Sequence, residues 1–109
     1  MSKQLLIMRH GEATPLNFGI NDFDRRLSEK GINEVIKAGR YLLAKEVSIH
    51  QILHSKAART TMTAELVAQV NRVDTSDIVD REDFYQTSVG GLLNSINLFD
   101  NQWENVLLI

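Results

Sequence analysis

No cysteine occurs anywhere in the sequence. That excludes a disulfide framework, a thiolate nucleophile and a Cys-based zinc site, and it fits a reducing cytoplasm. Basic runs are equally scarce: the longest is Arg25-Arg26, and the formal net charge is −2. There is thus no electrostatic footprint for a nucleic-acid backbone or an anionic membrane, and any anion has to be bound locally. Long apolar runs are missing too. Leu5-Leu6-Ile7-Met8 is far too short for a signal-peptide core or a membrane span, and it meets Arg9 at once, so a cytoplasmic protein is expected. The only proline, Pro15, lies in a loop-like stretch with Asn17, Gly19 and Asn21, and no repeat or low-complexity segment is present. The three histidines, His10, His50 and His54, form no pair at helical ligand spacing with an intervening Glu, which disfavours a metal hydrolase.

What remains is an ordinary globular balance, 43% apolar and 24% charged over 109 residues. One domain spanning 1–109 is expected. A chain of this size buries about two-thirds of its unfolded surface, enough for one modest core. Short apolar runs alternate with longer helical patterns, which is α/β logic.

Leu5–Met8 reads as a buried strand because it is short, apolar throughout and followed by polar residues and Gly11. Ser28 is the expected N-cap of a first helix, with Glu29 in its first turn and Ile32, Val35, Ile36, Gly39, Leu42 and Leu43 on one face. Ile49–Leu53 follows as a second strand. After Ser55, the i+4 series Ala58, Met62, Leu66, Val70 marks a second helix. Asp77–Val79 reads as a short strand, Val89–Leu98 as a short helix and Asn105–Ile109 as a buried strand. In open α/β sheets, function gathers in loops just beyond the strands' carboxyl ends. For a strand ending at Ile109, such a loop is expected to be missing.

Arg9-His10-Gly11-Glu12 directly follows the first strand. A neutral imidazole nitrogen is a competent nucleophile toward phosphorus near pH 7, and an adjacent guanidinium offers a planar fork of donors to phosphate oxygens. Gly11 would allow a sharp turn and close approach to the anion. Ser55-Lys56-Ala57-Ala58-Arg59 follows the second strand. If the strands are parallel, it lies at the same sheet edge and sets Arg59 in the first turn of a helix whose N-terminus favours an anion. Arg25, just before the first helix, could fold over the same crevice. Each of these residues also has a bland alternative as a solvated or ion-paired surface group.

Together these segments resemble the histidine phosphatase superfamily, the phosphoglycerate-mutase-like fold, along the whole chain. The Arg-His-Gly opening is matched by Arg9, His10 and Gly11, and an Arg-Pro-Leu-Ser-x-x-Gly segment by Arg25, Leu27, Ser28 and Gly31, with Arg26 in the proline position. A Ser-x-x-x-Arg-x-x-x-Thr-Ala segment is matched by Ser55, Arg59, Thr63 and Ala64. The compact spacing, together with Asp83–Ser88 and Leu92-Leu93, is most similar to the small bacterial phosphohistidine phosphatases of the SixA type.

The resemblance implies a mostly parallel sheet with helices on both faces, incomplete at the C-terminus. It implies a phosphohistidine phosphatase in which His10 is the nucleophile, while Arg9, Arg25 and Arg59 hold the phosphoryl oxygens, with no metal or organic cofactor. Glu82 is the candidate proton donor. The implied substrate is a phosphorylated protein, such as a histidine phosphotransfer domain. In the family a terminal strand like Asn105–Ile109 runs on into a Gly-His pair whose His also binds phosphate. The present sequence stops just short of that pair, so impaired turnover and self-association through an uncovered sheet are expected. Two alternatives stay open: a phosphohistidine-binding module without turnover, and a small-molecule phosphomonoesterase.

Overall fold

The computed structural model of the chain describes residues 4–15, 19, 21–81 and 105–109. Its strands are β1 (Gln4–Ile7), β2 (Gln51–Ser55), β3 (Ile78–Arg81) and β4 (Asn105–Leu108), and its helices are α1 (Glu29–Ala44) and α2 (Ala58–Asn71). The strands form a four-stranded sheet in the order β1-β4-β2-β3, with every pairing parallel. The α/β reading therefore holds. The last strand in sequence lies between the first and the second.

Register explains the core. Leu6, Leu107, Ile52 and Ile78 are aligned across the ladder and share one face, because side chains alternate along a strand. Both described helices pack on that face: Val35 of α1 and Ala64, Val67 and Ala68 of α2 join Ile52 and Leu107 in one buried cluster. Leu53, Val106 and Leu108 are buried on the opposite face, whereas Leu5 and Ile7 are 39% and 71% exposed. The expected helix Val89–Leu98 lies outside the described residues.

α1 starts where the sequence places it, with the Ser28 side chain accepting the Gly31 N–H. Its inner face is narrower than expected. Ile32, Val35, Gly39 and Leu42 turn inward, but Leu43 is 52% exposed, because one step past Leu42 is about 100° around the helix. In α2 the expected series Ala58, Met62, Leu66, Val70 flanks the buried face. The centre is Thr60, Thr63, Ala64, Val67 and Ala68. α2 is covered by both the sheet and α1, so small side chains occupy the tightest positions, and Gly39 brings α1 close to Val70. β2 starts two residues later than expected and runs on through His54 and Ser55, because its partner β3 continues to Arg81. Among the described residues, no helix is long and apolar enough to cross a membrane.

Candidate active site

The parallel sheet carries the segments after β1 and β2 to the same end, the carboxyl end of the strands, as expected for binding loops. The first loop is anchored on three sides. Met8 N–H donates to Leu108 O at 2.8 Å, continuing the β1/β4 ladder. Gly11 N–H donates to Thr63 Oγ1 at 3.3 Å, and that hydroxyl donates to Arg59 O at 2.7 Å. Glu12 O accepts Ser28 N–H at 2.8 Å and Ser28 Oγ at 3.2 Å.

Gly11 serves packing rather than a sharp turn. A Cβ there would lie 2.6 Å from Gly31 O and 2.8 Å from Val35 Cγ2. Reciprocally, a Cβ on Gly31 would run into the Glu12 carbonyl. The two glycines let the loop after β1 lie directly on the first turn of α1. A further bridge joins Ala13 to Leu27, and Thr14 N–H donates to Arg26 O at 2.8 Å.

This anchoring orients His10. Its Nδ1 is 2.7 Å from Gly11 O; a carbonyl can only accept, so Nδ1 donates a proton there, and in the neutral ring this places the lone pair on Nε2. His10, Arg9, Arg25 and Lys30 line a cleft of about 400 Å³ whose rim also holds Glu12 and Glu34. No hydrogen bond or ion pair joins Arg9 to another of the described residues. Glu12 is engaged, its carboxylate accepting from Ser28 Oγ at 3.1 Å and its N–H donating to Glu34 at 3.3 Å.

Arg25 and Arg59 do converge, but on a residue that was not singled out from the sequence. The Asp22 carboxylate bridges them, with Oδ1 3.1 Å from Arg25 Nη2 and Oδ2 3.0 Å from Arg59 Nη2. Arg59 Nη1 also donates to Asp22 O at 2.7 Å, and Arg25 Nη1 to Thr14 O at 3.1 Å. Arg25 Nε is buried with no acceptor among the described residues. Arg59 does not line the His10 cleft itself. The sequence signal for Asp22 was its place three residues before Arg25, which reads equally as a solvated pair.

At the start of α2, Thr60 Oγ1 lies 2.6 Å from Ser55 Oγ, 2.8 Å from Ser55 O and 2.9 Å from Ala57 O. Ser55 and Thr60 are both buried, so this knot fixes the strand-to-helix turn that presents Arg59. Thr63 is a linker whose role depends on tertiary contact, since it joins the His10 loop to the Arg59 backbone. His50 is exposed, and His54 is buried with Nδ1 2.7 Å from Ser55 O. Glu82, the candidate proton donor, lies outside the described residues. Among those residues, no group of three or more His, Cys, Asp or Glu is placed to hold a metal ion.

Residues 5–92 match the sequence profile of the Histidine phosphatase superfamily (branch 1). No curated protein matches the chain. Among solved structures, the chain is similar to a SixA from Agrobacterium tumefaciens assigned as a phosphohistidine phosphatase, at 24% identity and a TM-score of 0.88, over 99% of this chain and 69% of that one. A SixA from Nakamurella multipartitia with the same assignment is 23% identical, with a TM-score of 0.77 over 97% of this chain and 57% of its own. The protein histidine phosphatase SixA complexed with tungstate is 25% identical, with a TM-score of 0.84 over 96% and 67%. The chain thus spans 57% to 69% of the lengths of these structures.

Proposed function

The chain belongs to the histidine phosphatase superfamily, branch 1, and on that premise we propose that it is a phosphohistidine phosphatase whose nucleophile is His10. The observation that carries this reading is the Nδ1 contact with Gly11 O, which leaves an Nε2 lone pair on a residue lining a cleft with Arg9 and Arg25. Nε2 attacks the substrate phosphorus in line and forms an N–P bond as the bond to the leaving imidazole breaks. The departing nitrogen keeps the electron pair and takes up a proton. Water then attacks the phosphohistidine, releasing orthophosphate and restoring His10.

Arg9, Arg25 and Arg59 hold the equatorial oxygens and offset the charge that spreads over them in the transition state. Each such preorganised donor contributes on the order of 10²–10³ in rate. Glu82 is the candidate acid, although a leaving imidazole makes a strong acid less necessary than an alkoxide would. The phosphorylated partner is a protein, such as a histidine phosphotransfer domain, in the cytoplasm. Glu12 and Glu34 share the cleft with Arg9, Arg25 and Lys30, so the lining offers cations for one phosphoryl group without the uniformly basic wall that a polyanionic metabolite would favour, which supports a protein-borne phosphoryl group.

The test is brief incubation of the chain with a histidine peptide labelled with ³²P on its imidazole, followed by denaturation. An acid-labile, alkali-stable label on His10, absent from His10→Gln, is the expected result. Turnover that survives His10→Gln would overturn the nucleophile. Binding of the phosphopeptide with no label in the parent would instead favour the module that docks without turnover.

A further inference from the structure

We propose that Asp22 sets the anion affinity of this site: its carboxylate occupies Arg25 and Arg59 in the resting state, and the incoming phosphoryl group displaces it. The proposal rests on the phosphate-site reading above. One anion placing two oxygens on two guanidinium groups, at 3.1 and 3.0 Å, is also the arrangement by which those arginines would hold a phosphoryl group. The two anions cannot share it, because like charges at contact distance repel strongly.

The Asp22 carboxylate can leave without dismantling the turn. Its side chain is 33% exposed, against 13% for Arg59. The backbone contacts of the turn do not use the carboxylate: Asp24 N–H donates to Asn21 O at 3.1 Å, and Arg25 N–H to Asp22 O at 3.2 Å. Arg59 Nη1 stays on Asp22 O at 2.7 Å whichever way the side chain turns. Side-chain rotation thus breaks both ion pairs while the neutral carbonyl keeps Arg59 aimed.

Displacement also explains selection. A carboxylate has two oxygens, and a tethered one already satisfies the Arg25 and Arg59 Nη2 donors. A phosphoryl group brings a third oxygen and more charge, and the Arg9 guanidinium, which lines the His10 cleft together with Arg25 and has no partner among the described residues, remains to receive it. An ordinary carboxylate ligand gains nothing over Asp22; a phosphoryl group does.

The experiment is calorimetric titration of orthophosphate into the parent chain, Asp22→Asn and Asp24→Asn. Asp24 is an exposed neighbour in the same turn and controls for the loss of one negative charge. Removing a partly exposed carboxylate bridged by two guanidinium groups is expected to tighten phosphate binding about five- to thirtyfold. Asp24→Asn is expected to change it less than about twofold, the screened long-range effect of an exposed charge. Phosphate binding to the parent that Asp22→Asn leaves equal or weakens would overturn this proposal alone. No phosphate binding to any form would overturn the phosphate-site reading along with it. If Asp22→Asn does not fold, the ¹³C carboxyl resonance of Asp22 in the parent gives the answer. It is expected to shift as phosphate saturates the site, and a resonance that stays fixed at saturation would overturn the displacement.

Discussion

Gly11 and Gly31 face each other across the gap between the His10 loop and α1, and a Cβ on either would meet backbone atoms of the other segment. Backbone cannot yield as a flexible side chain does, so Gly31→Ala is expected to cost at least about 1–3 kcal/mol, measured by urea unfolding, and to weaken phosphate binding by shifting the loop. Gly39 offers the contrast. A Cβ there lies 3.3 Å from Val70 Cβ, a tight contact offset by the better helix propensity of alanine. Gly39→Ala is therefore expected to stay within about 1 kcal/mol of the parent. Thr63, 0% exposed, accepts from Gly11 N–H and donates to Arg59 O. Thr63→Val keeps the shape but orphans the amide, at about 1–3 kcal/mol, and the loss should appear in phosphate affinity as well as in stability. Both glycines lie within motifs visible in the sequence. That they face each other was not visible, because Gly11 and Gly31 meet only after the intervening chain has folded.

At the scale of elements, the start of α1 supports both the helix and the site. Ser28 Oγ caps Gly31 N–H at 3.0 Å, and its backbone N–H holds Glu12 O at 2.8 Å. Ser28→Ala is expected to lose about 1 kcal/mol in chemical denaturation, and Ser28→Asp to recover little of it, because its carboxylate would cap Gly31 N–H but face the Glu12 carboxylate that Ser28 Oγ now donates to at 3.1 Å. The cap was legible because its chemistry is local: a hydroxyl ahead of a helical pattern. The proline position filled by Arg26 is also interpretable. Arg25 has φ −65° and ψ 125°, the extended conformation that a residue before proline prefers. Arg26→Pro is accordingly expected to keep the fold and leave the thermal midpoint unchanged or raised, by restricting the unfolded chain. Helix faces were less legible. α2 packs between two surfaces and buries a threonine- and alanine-rich stripe, which a search for large apolar residues passes over.

For the whole molecule, the decisive fact is the strand order β1-β4-β2-β3. Residues 105–108 join β1 to β2, so β1 is hydrogen-bonded to the rest of the described sheet only through β4. Leu107, 1% exposed, lies between Leu6 and Ile52 in the ladder. Leu107→Ala is expected to cost about 2–5 kcal/mol, a large share of the roughly 5–15 kcal/mol typical of a domain. A chain ended after residue 104 is expected to lose cooperative unfolding altogether, as followed by circular dichroism. A sharp transition in that shortened chain would show that β4 is not needed to close the core.

Local sequence was enough for the α/β alternation, the cap at Ser28, the buried run 106–108 and the placement of His10 and Arg9 just past a strand. These follow from periodicity, local capping chemistry and the adjacency of residues along the chain. It took the folded chain to show that both described helices share one sheet face, that Gly11 packs rather than turns, and that Arg25 and Arg59 converge on Asp22. Each of these joins segments far apart in the chain, and what such segments do to one another depends on register, shape and charge, which exist only once the sheet has formed.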